Sequence, residues 1–167
     1  TVAIGPAGTG KTYCTGMKVS QLFLKGQYDK IILSRANVSV GRTLGFFPGS
    51  VEEKMKPWLM PMTDVLKQGL GHGRFQYMEQ KEMIEVQPIE TIRGRSYNNS
   101  LVMVDEAQNL SIEEIKAITT RLGENSKLIL SGDPAQSDVG KGNNLLYFSQ
   151  MCSKYDIEIQ VVRFTVK

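Results

Sequence analysis

Histidine and cysteine are nearly absent from this sequence, which has one His and two Cys in 167 residues. Cys14 and Cys152 lack any C-x-x-C spacing, which points to two small buried thiols rather than a disulfide or a metal site. His72, in GLGHGR, has no cysteine cluster beside it and reads as a loop residue, so neither a zinc centre nor histidine acid–base chemistry is indicated. No apolar run approaches the ~20 residues that span a bilayer, and no charged-then-apolar signal segment opens the chain. No membrane partner is expected, and the cytoplasm is the expected compartment. Internal repeats and low-complexity tracts are missing too. The charge is nearly balanced at +3, which permits a nucleic-acid partner without demanding one. With 22% charged and 41% hydrophobic residues, this is the profile of a globular chain, long enough for one core and short for two. It opens without Met, inside an apparent strand, and ends at Val166 and Lys167. Residues 1–167 are therefore expected to form one domain truncated at both ends.

Glycine, by contrast, is concentrated at the start, in AIGPAGTGKTY. Gly5, Gly10, Lys11 and Thr12 fit the G-x-x-x-x-G-K-S/T spacing of a Walker A loop. Such a loop needs glycine, because its backbone N–H groups must turn inward and approach phosphates without a clashing Cβ. TVAI before it reads as a buried strand, and KTYCTGMKVSQLFLKG after it as a helix ended by Gly26. The candidate nucleotide-binding residues are Gly5, Pro6, Ala7, Gly8, Thr9, Gly10, Lys11, Thr12 and Tyr13. Lys11 would reach the β- and γ-phosphates and the Thr12 hydroxyl would ligate Mg²⁺, with the helix N-terminus adding partial positive charge. Tyr13 is placed either to touch the base or simply on the helix surface.

Ile31 to Leu33 reads as a second strand. Glycines and prolines then interrupt the pattern, and residues 41–95 are expected to be an irregular insertion with a short helix kinked or split at Pro57 and Pro61. Ser50 and Glu53 resemble a capping box for that helix. Met55, Trp58, Leu59, Met62, Val65 and Leu66 recur at helical spacing and are expected in the core. MIEVQPIETIRGRSYNN predicts a strand, a short turn and a polar loop. Leu101 to Val104 form a strand apolar on both faces, as at the centre of a parallel sheet. Ser111 is the expected N-cap of a helix stopped by Gly123. A further strand, a helix over NNLLYFSQMCSKY and a last strand in IEIQVVRFT complete an α/β fold, a parallel sheet covered by helices on both faces.

Asp105 and Glu106 stand at the carboxyl end of their strand, where open α/β sheets bind ligands. Asp105 is the natural Walker B acid for Mg²⁺, and Glu106 is free to orient and polarise a water. Two carboxylates favour hydrolysis over transfer to an acceptor. No N-K-x-D occurs, and neither Asp105 nor Asp133 begins D-x-x-G, so ATP is expected over GTP. SGDPAQ ends another strand. Gln136 there could sense the γ-phosphate or the attacking water, although Gly132, Asp133 and Pro134 would also make an ordinary turn.

GPAGTGKT, LVMVDEAQN and SGDPAQ together resemble the PhoH-like ATPases, relatives of the superfamily 1 helicase core. The likeness extends through IILSRANVSVGRTLGFFPGSVEEKMKPWL and IETIRGRSYNNSLVMVDEAQN and so covers essentially the whole chain. The resemblance implies a RecA-like P-loop core with an added strand between the Walker A and Walker B strands. It also implies ATP hydrolysis, a link to single-stranded RNA, and homo-oligomers in the form of rings, hexamers among them. Family members usually continue into a segment with a further arginine and histidine. A transition-state arginine is sought among Arg35, Arg42, Arg93, Arg95 and Arg121. Arg93 and Arg95 are the first choice, because Gly94 lets both project from one loop. RNA-phosphate contact or plain solvation would suit the same pair. Two rival functions stay open: a P-loop kinase with its acceptor pocket in residues 41–95, and a nucleotide-gated assembly module with little turnover.

Overall fold

Strands that are apolar on both faces must be covered on both sides, and successive side chains of a strand point to opposite faces. The computed structural model, which describes residues 1–36, 51–137 and 143–166, follows that logic. Its elements are β1 Val2–Ile4, α1 Lys11–Leu24, β2 Lys30–Arg35, α2 Val51–Leu70, α3 His72–Gln80, β3 Ile84–Val86, α4 Ile89–Ile92, β4 Ser100–Asp105, α5 Ile112–Thr119, β5 Lys127–Gly132, α6 Asn144–Lys154 and β6 Val161–Arg163. Two 3₁₀ turns, Ala107–Asn109 and Pro134–Gln136, follow β4 and β5. The strands form one sheet in the order β3-β2-β4-β5-β1-β6, and every pairing is parallel. β5 therefore lies between the strand before the glycine loop and the strand before Asp105 and Glu106, as the resemblance implies.

Alternation splits the core in two. Ile31, Leu33, Leu101, Met103 and Ile129 pack against Val19 and Phe23 of α1, the stripe of α2, and Phe75 and Met78 of α3. Ile32, Val102, Val104, Leu128 and Leu130 pack on the other face against Ile89, Ile92, Ile115, Ile118 and Leu145. α1 and α2 approach closely, since a Cβ on Gly16 would stand 2.7 Å from Val65 Cγ1 and one on Gly69 2.5 Å from Ser20 Oγ. At the N-terminus of α5, Ser111 and Glu114 form a reciprocal capping box, which satisfies two otherwise orphaned donors.

Several expectations need correction. The stretch from 51 is not irregular: α2 runs unbroken through Pro57 and Pro61 for 20 residues. Both prolines lie on its exposed side, where water can satisfy the carbonyls they leave unpaired, while Met55, Leu59, Met62 and Leu66 are fully buried. Trp58 is not core but 48% exposed. His72 opens α3 instead of sitting in a loop, and Cys14 is exposed while Cys152 is buried. α5 ends at Thr119, short of Gly123, whose N–H donates to the Tyr97 carbonyl (2.7 Å) and which has no room for a Cβ beside Asn98. Ser50 and Arg42 lie outside the described residues. Among the described residues, no helix is long and apolar enough to cross a membrane.

Candidate active site at the carboxyl edge of the sheet

Parallel pairing brings the ends of four strands to one edge. Arg35 stands opposite Asp105, and Ile4 opposite Gly132. The glycine loop leaves β1 there. Gly8 and Gly10 have φ of +75° and +84°, a region that a Cβ disfavours. Gly10 is the N-cap of α1 and offers no side-chain acceptor, so the first-turn amides keep their donor capacity and the helix end its partial positive charge. The Lys11 ammonium donates to the carbonyls of Gly5 (2.6 Å) and Pro6 (2.8 Å), and Thr9 Oγ1 donates to the Pro6 carbonyl (2.7 Å). Thr12 is half-buried in that first turn and Tyr13 is 49% exposed beside it.

The loop is fastened to the neighbouring strand end. Asp133 is buried, and its Oδ2 accepts from the Ala7 N–H (3.0 Å) while Oδ1 accepts from the Ala135 N–H (3.0 Å). The Asp133 N–H in turn donates to Gln108 Oε1 (3.0 Å), and Gln108 Nε2 donates to Glu106 Oε2 (2.6 Å). Arg35 Nη2 donates to Glu106 Oε1 (3.0 Å). A continuous chain thus runs from the loop through Asp133, Gln108 and Glu106 to Arg35. Gly132 is required beside it, because a Cβ there would lie 2.5 Å from Gln108 Oε1. Glu106 itself has φ +52° and ψ +33°. A left-handed conformation at a non-glycine residue costs of order 1 kcal/mol or more and tends to be retained at functional sites.

Asp105 lies on the α1 side of the sheet by strand alternation with Leu101 and Met103. Burial first, and the adjacent Glu106 charge second, push its carboxyl above the usual range; the Glu106 N–H and the Arg35 charge oppose them. Among the described residues, the Ser131 hydroxyl, buried on β5 beside it, opposes them as well. Those residues contain no group of three or more His, Cys, Asp or Glu able to hold a metal by themselves. The Thr12 hydroxyl and the buried Asp105 carboxylate are the kind of donor set that Mg²⁺ accepts, since it takes few protein ligands and completes its oxygen shell with phosphate and water.

Gln136 is exposed at the end of its 3₁₀ turn, close in sequence to the Asp133 anchor. Arg93 pairs with Glu114 (2.7 Å) and Arg95 with Glu85 (3.1 Å). Neither bonds to the glycine loop among the described residues. Sequence reasoning missed Gln108 altogether and treated Asp133 as turn material. A signal existed for Asp133, since an Asp before a Pro that begins a helical turn is a capping pattern.

The family model described as PhoH-like protein matches residues 1–167. The PhoH-like protein of Bacillus subtilis is 42% identical over 139 residues, covering 83% of this chain and 44% of that protein. The PhoH-like protein of Synechocystis sp. is 40% identical over 139 residues, 83% of this chain and 42% of that protein. Protein PhoH of Escherichia coli is 38% identical over 142 residues, 84% of this chain and 40% of that protein. The chain thus spans less than half the length of these curated relatives. On the full-length match and on these identities, the chain belongs to the PhoH-like protein family.

Proposed function

We propose that this domain hydrolyses ATP with Mg²⁺ and couples that reaction to single-stranded RNA or to a neighbouring subunit of a homo-oligomer. The observation that carries the reading is the bonded chain from Ala7 through Asp133 and Gln108 to Glu106, which ties a phosphate-binding loop to a carboxylate two positions from that chain's glutamine. Gly5 to Thr12 would bind the phosphates, with Lys11 moving from the loop carbonyls to the β- and γ-phosphates. Thr12 and Asp105 would hold Mg²⁺, which when bound neutralises phosphate charge. Glu106 accepts a hydrogen bond from the attacking water and polarises it. Gln136, exposed on the turn that Asp133 caps, contacts the γ-phosphate or that water. Arg93 and Arg95 would have to leave Glu114 and Glu85 to serve as transition-state or RNA-phosphate contacts.

Phosphate release from ATP with Mg²⁺, with and without single-stranded RNA, tests this in wild type, Lys11→Ala and Glu106→Gln. Lys11→Ala should weaken nucleotide binding, while Glu106→Gln should bind ATP and turn it over far more slowly. Unchanged turnover in Glu106→Gln would remove that residue from its role. Release that requires a small acceptor would replace hydrolysis by kinase chemistry, and intact ATP in an assembled ring would replace it by nucleotide-gated assembly.

A further inference from the structure

We propose that Arg35 restrains Glu106 and links that restraint to the Trp58 turn of α2. The inference rests on the ATPase reading and adds a regulation to it.

Each oxygen of the Glu106 carboxylate has a donor. Oε2 takes Gln108 Nε2 (2.6 Å), and Oε1 takes Arg35 Nη2 (3.0 Å). The two donors come from opposite directions, because the sheet order sets β2 on one side of β4 and β5 with β1 on the other. Gln108 is bonded to Asp133 at the end of β5, so it holds the carboxylate toward the glycine loop. Arg35, at the end of β2, draws it away. A carboxylate that must meet water beside a phosphate on the loop is therefore shared between a productive and an unproductive direction.

Arg35 has a second attachment. Its Nη1 donates to the Trp58 carbonyl (2.8 Å). A planar guanidinium can serve both partners at once, which an ammonium does less well. Trp58 sits in α2 between Pro57 and Pro61, and the Pro61 ring provides no N–H to the carbonyl of Pro57, next to Trp58. Its indole is 48% exposed on a helix whose other face is fully buried. Arg35 and Glu106 side chains are 24% and 32% exposed, so the pair is accessible enough to open. A shift of the Trp58 turn changes the geometry of Arg35, and the released carboxylate is then held by Gln108 alone. Arg35 is in this sense a positioning residue, acting on the reacting water only through Glu106.

Two measurements test it. In steady-state ATP hydrolysis, Arg35→Ala should raise kcat several-fold with KM unchanged, and the rise should vanish in Arg35→Ala combined with Glu106→Gln. Equal or lower kcat in Arg35→Ala overturns the restraint. Arg35→Gln, which keeps a polar side chain, repeats the comparison should the alanine variant unfold. Independently of turnover, emission of Trp58, the one tryptophan of the sequence, is followed on adding Mg²⁺ with adenylyl imidodiphosphate. A shift in wild type that is lost in Arg35→Ala supports the linkage. A shift that persists in the variant, or none in wild type, overturns it. If wild type binds nucleotide and never hydrolyses it, the ATPase reading fails while the emission comparison still decides the linkage.

Discussion

At the carboxyl edge of β4 and β5, Arg35 pairs with Glu106 and acts on Asp105 through its charge, while Asp133 accepts from the Ala7 and Ala135 N–H groups. On β3, Glu85 alone collects Lys30, Gln87 and Arg95, and the buried Tyr97 hydroxyl donates to Gln87 behind it. Both clusters are partly buried carboxylate networks, yet they are poised in opposite ways. Burial and a like charge push the Asp105 carboxyl up. At Glu85, burial pushes up first, but the hydrogen bonds of Lys30 and Gln87 and the charges of Lys30 and Arg95 outweigh it and hold the carboxyl down. A carboxylate held by two cations and an amide stabilises the fold; a buried acid beside a like charge, next to a residue with a left-handed backbone, is what functional sites commonly show. On the proposed function, the difference separates a structural network from a chemical one.

Breaking the edge network at its acid should have the largest effect. Glu106→Gln keeps the size and one acceptor oxygen but loses the charge that polarises water on the proposed function, and turnover should then fall by ~10²- to 10⁴-fold. Thermal unfolding should move little, which would confirm that Glu106 contributes more to chemistry than to stability. Breaking the anchor comes next. Asp133→Ala leaves the Ala7 and Ala135 N–H groups without their acceptor, a loss of about 1–3 kcal/mol. Unfolding at lower temperature and weaker nucleotide binding should appear together, because the same carboxylate holds the turn and the loop. Asp133→Asn, which retains an acceptor oxygen, should recover part of both in parallel melting and binding measurements. Recovery of stability without recovery of binding would detach the loop from this anchor.

How much of this was legible in the sequence depended on distance along the chain. The glycine loop, Asp105 and Glu106 are local patterns, and the all-parallel sheet follows from strands apolar on both faces. α2 was legible as a helix with a buried stripe of Met55, Leu59, Met62 and Leu66, but not as one unbroken element, because Pro57 and Pro61 argue locally for a kink or a break. Gln108 and Arg35 were obscure for another reason. Their roles come from strand order: β2 flanks β4 on one side and β5 on the other, a pairing that no spacing within a motif encodes. Arg93 and Arg95 share one loop, yet their partners lie on different elements, Glu114 on α5 and Glu85 on β3.

The smallest effect is expected where the network is already satisfied, and pH makes it distinctive. Glu85→Gln removes the charge that Lys30 and Arg95 face but keeps the amide's hydrogen-bonding reach. Because these partners are themselves half exposed, at 44% and 58%, the stability lost at neutral pH should be about 1 kcal/mol. The folded carboxyl is held below its ordinary value, so its stabilisation is present above that ordinary value and is lost as pH falls through the lower, folded one. Melting curves of wild type and Glu85→Gln should therefore differ at neutral pH and converge in acid. ATP turnover at neutral pH should be unchanged. A gap that persists below the carboxylate range would mean that packing, not charge, holds β3 at this point, and a drop in turnover would mean that the two networks are coupled through the sheet.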